Sequence, residues 1–245
     1  MNPDPAITIK PYRSIPIVEC GEALVLIPEG RFVLTQPHPY MALGAPYGAV
    51  SPWMLRQSVL AALERAQDRL EAQRPGWKIK LFDAYRPNAV QAFMVRREFM
   101  LLSGGRPPEA VPQPERDDLY IKALRVWAIP SEDPATPPLH STGGALDCTL
   151  CDATDEEIAM GSPIDENSDR SNPDYFADAT DAASRAAHAN RVFLNSLMRA
   201  EGFHRLHSEW WHFSQGDQYW AWAERKESGH TDTCAIYGAA QPPIT

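Results

Sequence analysis

Two short segments restrict what this chain can fold into more than anything else in it. Pro138-Leu-His140-Ser-Thr-Gly-Gly-Ala-Leu-Asp147 and Ser208-Glu209-Trp-Trp-His212 offer two imidazoles, one carboxylate suited to a metal and one suited to moving a proton. A metal site that keeps a position open for water needs three protein ligands fixed by the structure around them. Any fold for this sequence must therefore bring residues 140, 147 and 212 to one point. Gly143-Gly144 lets the backbone turn tightly between the first two, so a ligand in a loop and a ligand on the following strand can converge.

The flanking patterns predict the scaffold. Ser51-Pro52 reads as a helix start, with Leu55, Val59, Leu63, Ala66 and Leu70 on one apolar face until Pro75-Gly76. Trp77 to Tyr85 begins with strict alternation, as a half-buried strand does, and places Arg86 where that strand ends before Pro87. Asn88 is expected to cap a helix running to Met100, and proline-rich loops follow at 104–114 and 130–138, the second delivering the chain to His140. Ala145 to Leu150 alternates again, with Ala145, Asp147 and Thr149 on one face and Leu146, Cys148 and Leu150 on the other. Residues 152–170 are acidic and turn-rich and read as a solvated loop. A long helix from about Asp181 turns Phe193, Leu194, Leu197 and Met198 inward and stops at Gly202, Phe203 to Phe213 reads as a last strand, and the tail from about Gly229 is irregular. Helices and strands intermingle without a βαβ rhythm and without a repeat. The expectation is one catalytic α+β domain over residues 1–245, a mainly antiparallel sheet flanked by helices.

Charge and cysteines narrow the partners. A formal charge of −9 disfavours nucleic acid and anionic membrane surfaces, which leaves a small molecule as the expected partner. Met1 to Thr8 has neither a basic start nor an apolar core, and Ala23 to Ile27 is too short to span a bilayer. Neither a secretion signal nor an anchor is expected, and the expected location is cytoplasmic. Cys148 and Cys151 form a C-x-x-C, which could be a redox pair or half a zinc knuckle, but it runs through a strand and no second pair accompanies it, so neither role is expected.

Glu209 stands three residues before His212, and on an ideal strand the two would face opposite sides. A bend near Trp210 would leave Glu209 beside the metal, free to take a proton from water. The alternative is a surface strand whose tryptophans are core and whose glutamate is merely solvated. Arg86 is the candidate for stabilising an oxyanion, although Tyr-Arg-Pro alone means little. His207 is the rival metal ligand.

Together the segments Asp83-Ala-Tyr-Arg-Pro87, His140 to Asp147, Met160-Gly-Ser-Pro-Ile-Asp165, Asn190-Arg191 with Gly202-Phe203, and Glu209 to Phe213 resemble the D-alanyl-D-alanine dipeptidases of the VanX type. That family lies within the zinc D-Ala-D-Ala peptidases, which share a fold with the hedgehog signalling domain. The resemblance implies a hedgehog/DD-peptidase-like fold, with one zinc ion on His140, Asp147 and His212. It also implies Glu209 as catalytic base, Arg86 on the tetrahedral intermediate and Asp165 on the substrate's free ammonium. Tyr40 stands where the family has an active-site tyrosine. The implied substrate is a small dipeptide, D-alanyl-D-alanine or a relative. A zinc D,D-carboxypeptidase of peptidoglycan stem peptides and a non-catalytic zinc-binding domain are the alternatives. Pro138 replaces a serine usual in the family, and the run after Tyr40 departs from its pattern; both bear on side-chain preference. Nothing in the sequence speaks to oligomeric state.

Overall fold

Residues 10–242 are described by the computed structural model; Met1 to Thr8, read above for a leader, falls outside them. Seven strands form: β1 (Leu24–Leu26), β2 (Val33–Leu34), β3 (Met54–Arg56), β4 (Lys78–Asp83), β5 (Ala145–Cys151), β6 (His204–Arg205) and β7 (His212–Ser214). The α-helices are α1 (Pro39–Ala42), α2 (Gln57–Gln73), α3 (Asn88–Leu102), α4 (Glu115–Ala123), α5 (Ala182–Ala200) and α6 (Gln218–Ser228). The main sheet has the order β2-β4-β5-β7-β6, while β1 and β3 make a separate antiparallel pair. Only β2–β4 is parallel within the main sheet, so the architecture is the α+β arrangement of a mainly antiparallel sheet with helices against it.

Alternation decides which side of the sheet does what. On β5, Leu146, Cys148 and Leu150 enter the main core with Ile79 and Leu81 of β4, Val59, Leu63, Ala66 and Leu70 of α2, and Leu194, Leu197 and Met198 of α5. Asp147 takes the other face. On β4 simple alternation would put Asp83 beside Leu81 in that core, yet Leu81 pairs with Cys148 and Asp83 with Asp147. The register shifts between Leu81 and Asp83, and this irregularity re-aims Asp83 to the polar face. Gln67 of α2 ties helix to strand from inside the core: its Nε2 donates to the Trp77 carbonyl (2.9 Å) and its Oε1 accepts from the Ile79 amide (2.7 Å).

Several elements differ from the sequence expectation. The helix read from Ser51-Pro52 begins at Gln57, because Met54–Arg56 are drawn into pairing with β1; the Ser51 hydroxyl accepts from the Trp53 amide and closes only a turn. Asn88 is the first helical residue of α3, with Pro87 at the cap. The single strand expected over Phe203 to Phe213 is a hairpin of two short strands, β6 and β7, around an irregular Leu206–Trp211 connection. Helices α4 and α6 escaped the pattern reading. Helix α6 starts where the Asp217 carboxylate accepts from the Trp220 amide (2.9 Å) and stops at Gly229 with φ +76°. The tail beyond it is irregular but packed, with Ala235 bridged to Ile17 and Tyr237 in the main core. Cys148 and Cys151 are buried, and burial pushes both thiols up, Cys151 to about 11.

Gln67→Leu keeps the volume but strands the Ile79 amide and Trp77 carbonyl in the core. We expect it to lower unfolding free energy by about 2–4 kcal/mol in urea titrations; an unchanged midpoint would contradict the assigned tie.

Candidate active site

The sheet register assembles the site. Asp147 on β5 lies opposite Asp83 on β4 and opposite His212 on β7, so three polar side chains form one row across three adjacent strands. His140 arrives from a single 3-10 turn, Leu139–Thr142, which ends at Gly143 in the left-handed region (φ +72°). A Cβ there would lie 2.3 Å from Leu24 Cδ2, so the turn needs glycine for both backbone and space.

His140 Nε2 is 3.1 Å from His212 Nδ1 and 3.3 Å from Asp147 Oδ2, and His212 Nδ1 is 3.1 Å from Asp147 Oδ1. His140 Nδ1 sits 2.8 Å from the Ala84 carbonyl. A carbonyl can only accept, so Nδ1 carries a proton and Nε2 is the nitrogen turned toward His212 and Asp147. The outer nitrogen of His212 is 3.2 Å from Ser214 Oγ. Its inner nitrogen therefore faces the His140 imidazole and the Asp147 carboxylate at once. A divalent cation could bond all three groups together, and two nitrogens with one carboxylate are a donor set that fits such an ion. Burial raises the Asp147 carboxyl, but the two histidines outweigh it and hold the group well below the usual carboxylate range. The three ligand atoms lie within 4.8 Å of one another and belong to buried residues. His207 is not among them; it stacks near Tyr219 with ring centroids 6.2 Å apart.

Arg86 is fixed on every side. Its Nε donates to Asp83 Oδ2 (2.9 Å), Nη1 to Gln91 Oε1 (2.8 Å) and Nη2 to the Tyr40 hydroxyl (3.1 Å). The same Nη2 lies 3.4 Å from Asp147 Oδ2, which aims the guanidinium at the ligand group, and the rings of Tyr40 and Trp127 stack on it at 4.8 and 5.2 Å. Tyr40 in turn donates to Asp165 Oδ2 at 2.8 Å. Burial first, and the charge of Asp147 second, push the Asp165 carboxyl up to about 7. Asp165 also has φ +65°, a conformation a non-glycine residue adopts only when its surroundings impose it. Arg191 of α5 holds the loop on both sides of Asp165: its guanidinium donates to the Met160, Asn172 and Arg170 carbonyls and to Ser162 Oγ. The loop read as merely solvated is thus clamped where it carries Asp165.

Glu209 lies in the β6–β7 connection. The chain bends here because Trp210 is anchored sideways, its amide to the Ser171 carbonyl (3.0 Å) and its Nε1 to Ser162 Oγ (2.9 Å). The Glu209 carboxylate is 6% exposed and makes no hydrogen bond among the described residues. Burial, followed by the charge of Asp147, raises it well above the ordinary range. It shares a narrow cavity of about 30 Å³ with Arg86, His140, Asp147, Asp165 and His212. A larger space of about 410 Å³ adjoins it across Val126 and Glu209. Tyr40, Arg86, His140, Asp147, Asp165, Glu209 and His212 are therefore brought into one neighbourhood.

The sequence reading gave no role to Asp83 or His38. Asp83 is fully buried and accepts from His38 Nε2 (3.0 Å), Tyr47 (3.2 Å) and Arg86. Its signal was its place three residues before Arg86. His38 Nδ1 accepts from the amides of Tyr40 and Met41, so it holds the tyrosine in position.

The family model described as D-ala-D-ala dipeptidase matches residues 33–231. A D-alanyl-D-alanine dipeptidase of Synechocystis is 40% identical over 95% of this chain and 98% of its own length. The D-alanyl-D-alanine dipeptidase of Escherichia coli is 31% identical over 65% of each chain. The solved structure of the LdcB LD-carboxypeptidase is similar at a TM-score of 0.43 and 16% identity, covering 86% of this chain and 75% of that one.

A divalent metal ion added to the metal-free protein should raise its unfolding temperature, by the equivalent of about 4 kcal/mol at a thousandfold excess over Kd. Asp147→Asn and His212→Ala should lose that response. A wild-type melting curve indifferent to metal would remove the ligand assignment.

Proposed function

This chain belongs to the D-Ala-D-Ala dipeptidase family of metallopeptidases, and from that premise we propose that it hydrolyses D-alanyl-D-alanine or a related D,D-dipeptide with one zinc ion on His140, Asp147 and His212. One observation carries the reading: a fixed cation, an ammonium-seeking carboxylate and an unbonded carboxylate line the same cavity as the ligand group. When bound, zinc supplies a Lewis acid that polarises the scissile carbonyl and acidifies the attacking water to a pKa of about 7.

The protein's own groups do the rest. Asp165 accepts the free ammonium of the substrate, held in place by the Tyr40 hydroxyl. Arg86 donates to the carbonyl oxygen as it gains charge, and because Asp83, Gln91 and two aromatic rings already fix its guanidinium, little reorganisation accompanies the step. Glu209 takes the proton from water and returns it to the leaving amine, with both oxygens uncommitted beforehand. A half-buried anchor for a free amine favours dipeptides over stem peptides, whose extension would remove the charge and leave Asp165 without a partner. The four free cysteines suit the reducing cytoplasm, where this reading places the protein, and no described helix is long and apolar enough to cross a membrane.

Glu209→Gln should lower kcat by about 10²–10⁴ without loss of zinc, measured by metal analysis beside turnover; full activity in the loaded variant would end the scheme. For Asp165 the sign is set by its raised pKa. Only the carboxylate holds ammonium, so KM for D-Ala-D-Ala should fall as pH climbs through about 7 and rise below it. An ion on Asp147 offsets one cause of the shift and moves the transition lower. Asp165→Asn should show a high KM that is flat over this range, and N-acetyl-D-Ala-D-Ala should be a poor substrate. Preference for the acetylated compound would instead establish the carboxypeptidase reading.

A further inference from the structure

A free dipeptide carries a negative end as well as a positive one, and the groups so far described leave that end without a partner. Arg86 has four of its five N–H groups on Asp83, Gln91, Tyr40 and Asp147 and is assigned above to the scissile carbonyl oxygen. The other cation lining the cavity is Lys10, and next to it is Tyr12. Neither the Lys10 ammonium nor the Tyr12 hydroxyl has a hydrogen-bond partner among the described residues, although Tyr12 is 6% exposed. Two uncommitted donors on one segment thus line the cavity that holds the groups assigned to the substrate's other parts.

Their surroundings differ from those of Asp165. Asp165 is bonded to Tyr40, which belongs to the cluster with Trp127, Val90 and Tyr120. Tyr12 belongs to a separate cluster with Leu139, Leu206 and Tyr219. Arg86, His140, Asp147, Glu209 and His212 line the same cavity as both. A dipeptide likewise carries its ammonium and its carboxylate at opposite ends, with the scissile carbonyl between them.

Resting on the dipeptidase reading, we propose that Lys10 and Tyr12 bind the substrate's C-terminal carboxylate and so set the enzyme's requirement for a free acid at that end. Both precede residue 33, where the family match begins. The segment is a docked strap. Arg13 Nη2 donates to the Thr136 carbonyl, Gln218 Nε2 to the carbonyls of Arg13 and Ile15, and the Tyr12 ring meets Tyr219 edge-on at 5.6 Å. The two donors are thereby positioned before substrate arrives.

The test compares D-Ala-D-Ala with its C-terminal amide on the zinc-loaded full-length enzyme. Lys10→Met should raise KM for the acid about tenfold to a hundredfold with little change in kcat, and should leave the amide within about twofold. Tyr12→Phe, which keeps the ring packing, should show a smaller shift of the same kind, and Lys10→Arg should retain most of the acid preference. Equal losses on acid and amide, or a change confined to kcat, would mean that Lys10 acts on Glu209 instead and overturn the inference. Wild-type cleavage of the acid with unaltered kinetics in Lys10→Met would overturn it while leaving the dipeptidase reading intact. A wild type that cleaves neither compound would overturn both.

Discussion

Two carboxylates, Asp83 and Asp147, face each other on adjacent strands in a place water barely reaches. Like charges directly opposite one another weaken a sheet, and burial multiplies the cost. The centre of this protein is arranged around relieving that conflict. Arg86 lies between them, 2.7 Å from Asp83 and 3.4 Å from Asp147. His38 and Tyr47 donate to Asp83, and His140 and His212 approach Asp147. A divalent ion on the proposed ligands would complete the neutralisation on the Asp147 side. Charge balance thus links pairing of the central strands to assembly of the site.

The same logic sorts the cavity. Asp83 absorbs the charge of Arg86, so the guanidinium holds one orientation and remains polar enough to donate. Tyr40 couples it to Asp165 through a single hydroxyl, accepting from Arg86 and donating to the carboxylate. Glu209 stands apart with no such tether. Under the proposed scheme this contrast has a reason: a group that picks up and releases a proton within one turnover is better left uncommitted, whereas groups that hold a substrate gain from being tied down.

Much of this was legible in the residues, and the exceptions have physical reasons. Local alternation in Ala145 to Leu150 placed Asp147 opposite the core face, and a contradiction in spacing between Glu209 and His212 foretold the bend at Trp210. Both are properties of neighbouring residues. What stayed hidden depended on distant partners. Met54–Arg56 carries a helical apolar pattern but pairs with β1, an interaction no local window contains. The loop holding Asp165 has acidic, turn-rich composition, and only the family resemblance gave it meaning, because its clamp comes from Arg191 on α5. Helix α6 was overlooked where aromatic residues blurred the periodicity. Simple alternation gives Asp83 the core face of Leu81, and only the register slip, set by pairing with β5, turns it around.

The Arg191 clamp has an evolutionary side. Three of its four partners are backbone carbonyls, at Met160, Asn172 and Arg170, and the fourth is the Ser162 hydroxyl. An anchor that grips main chain is largely indifferent to the side chains it passes. Acidic side chains that the clamp does not touch can accordingly change, altering the electrostatics of the neighbouring larger space while the loop's trace stays put. Substrate preference could then diverge among descendants without the proposed amine anchor having to be reinvented.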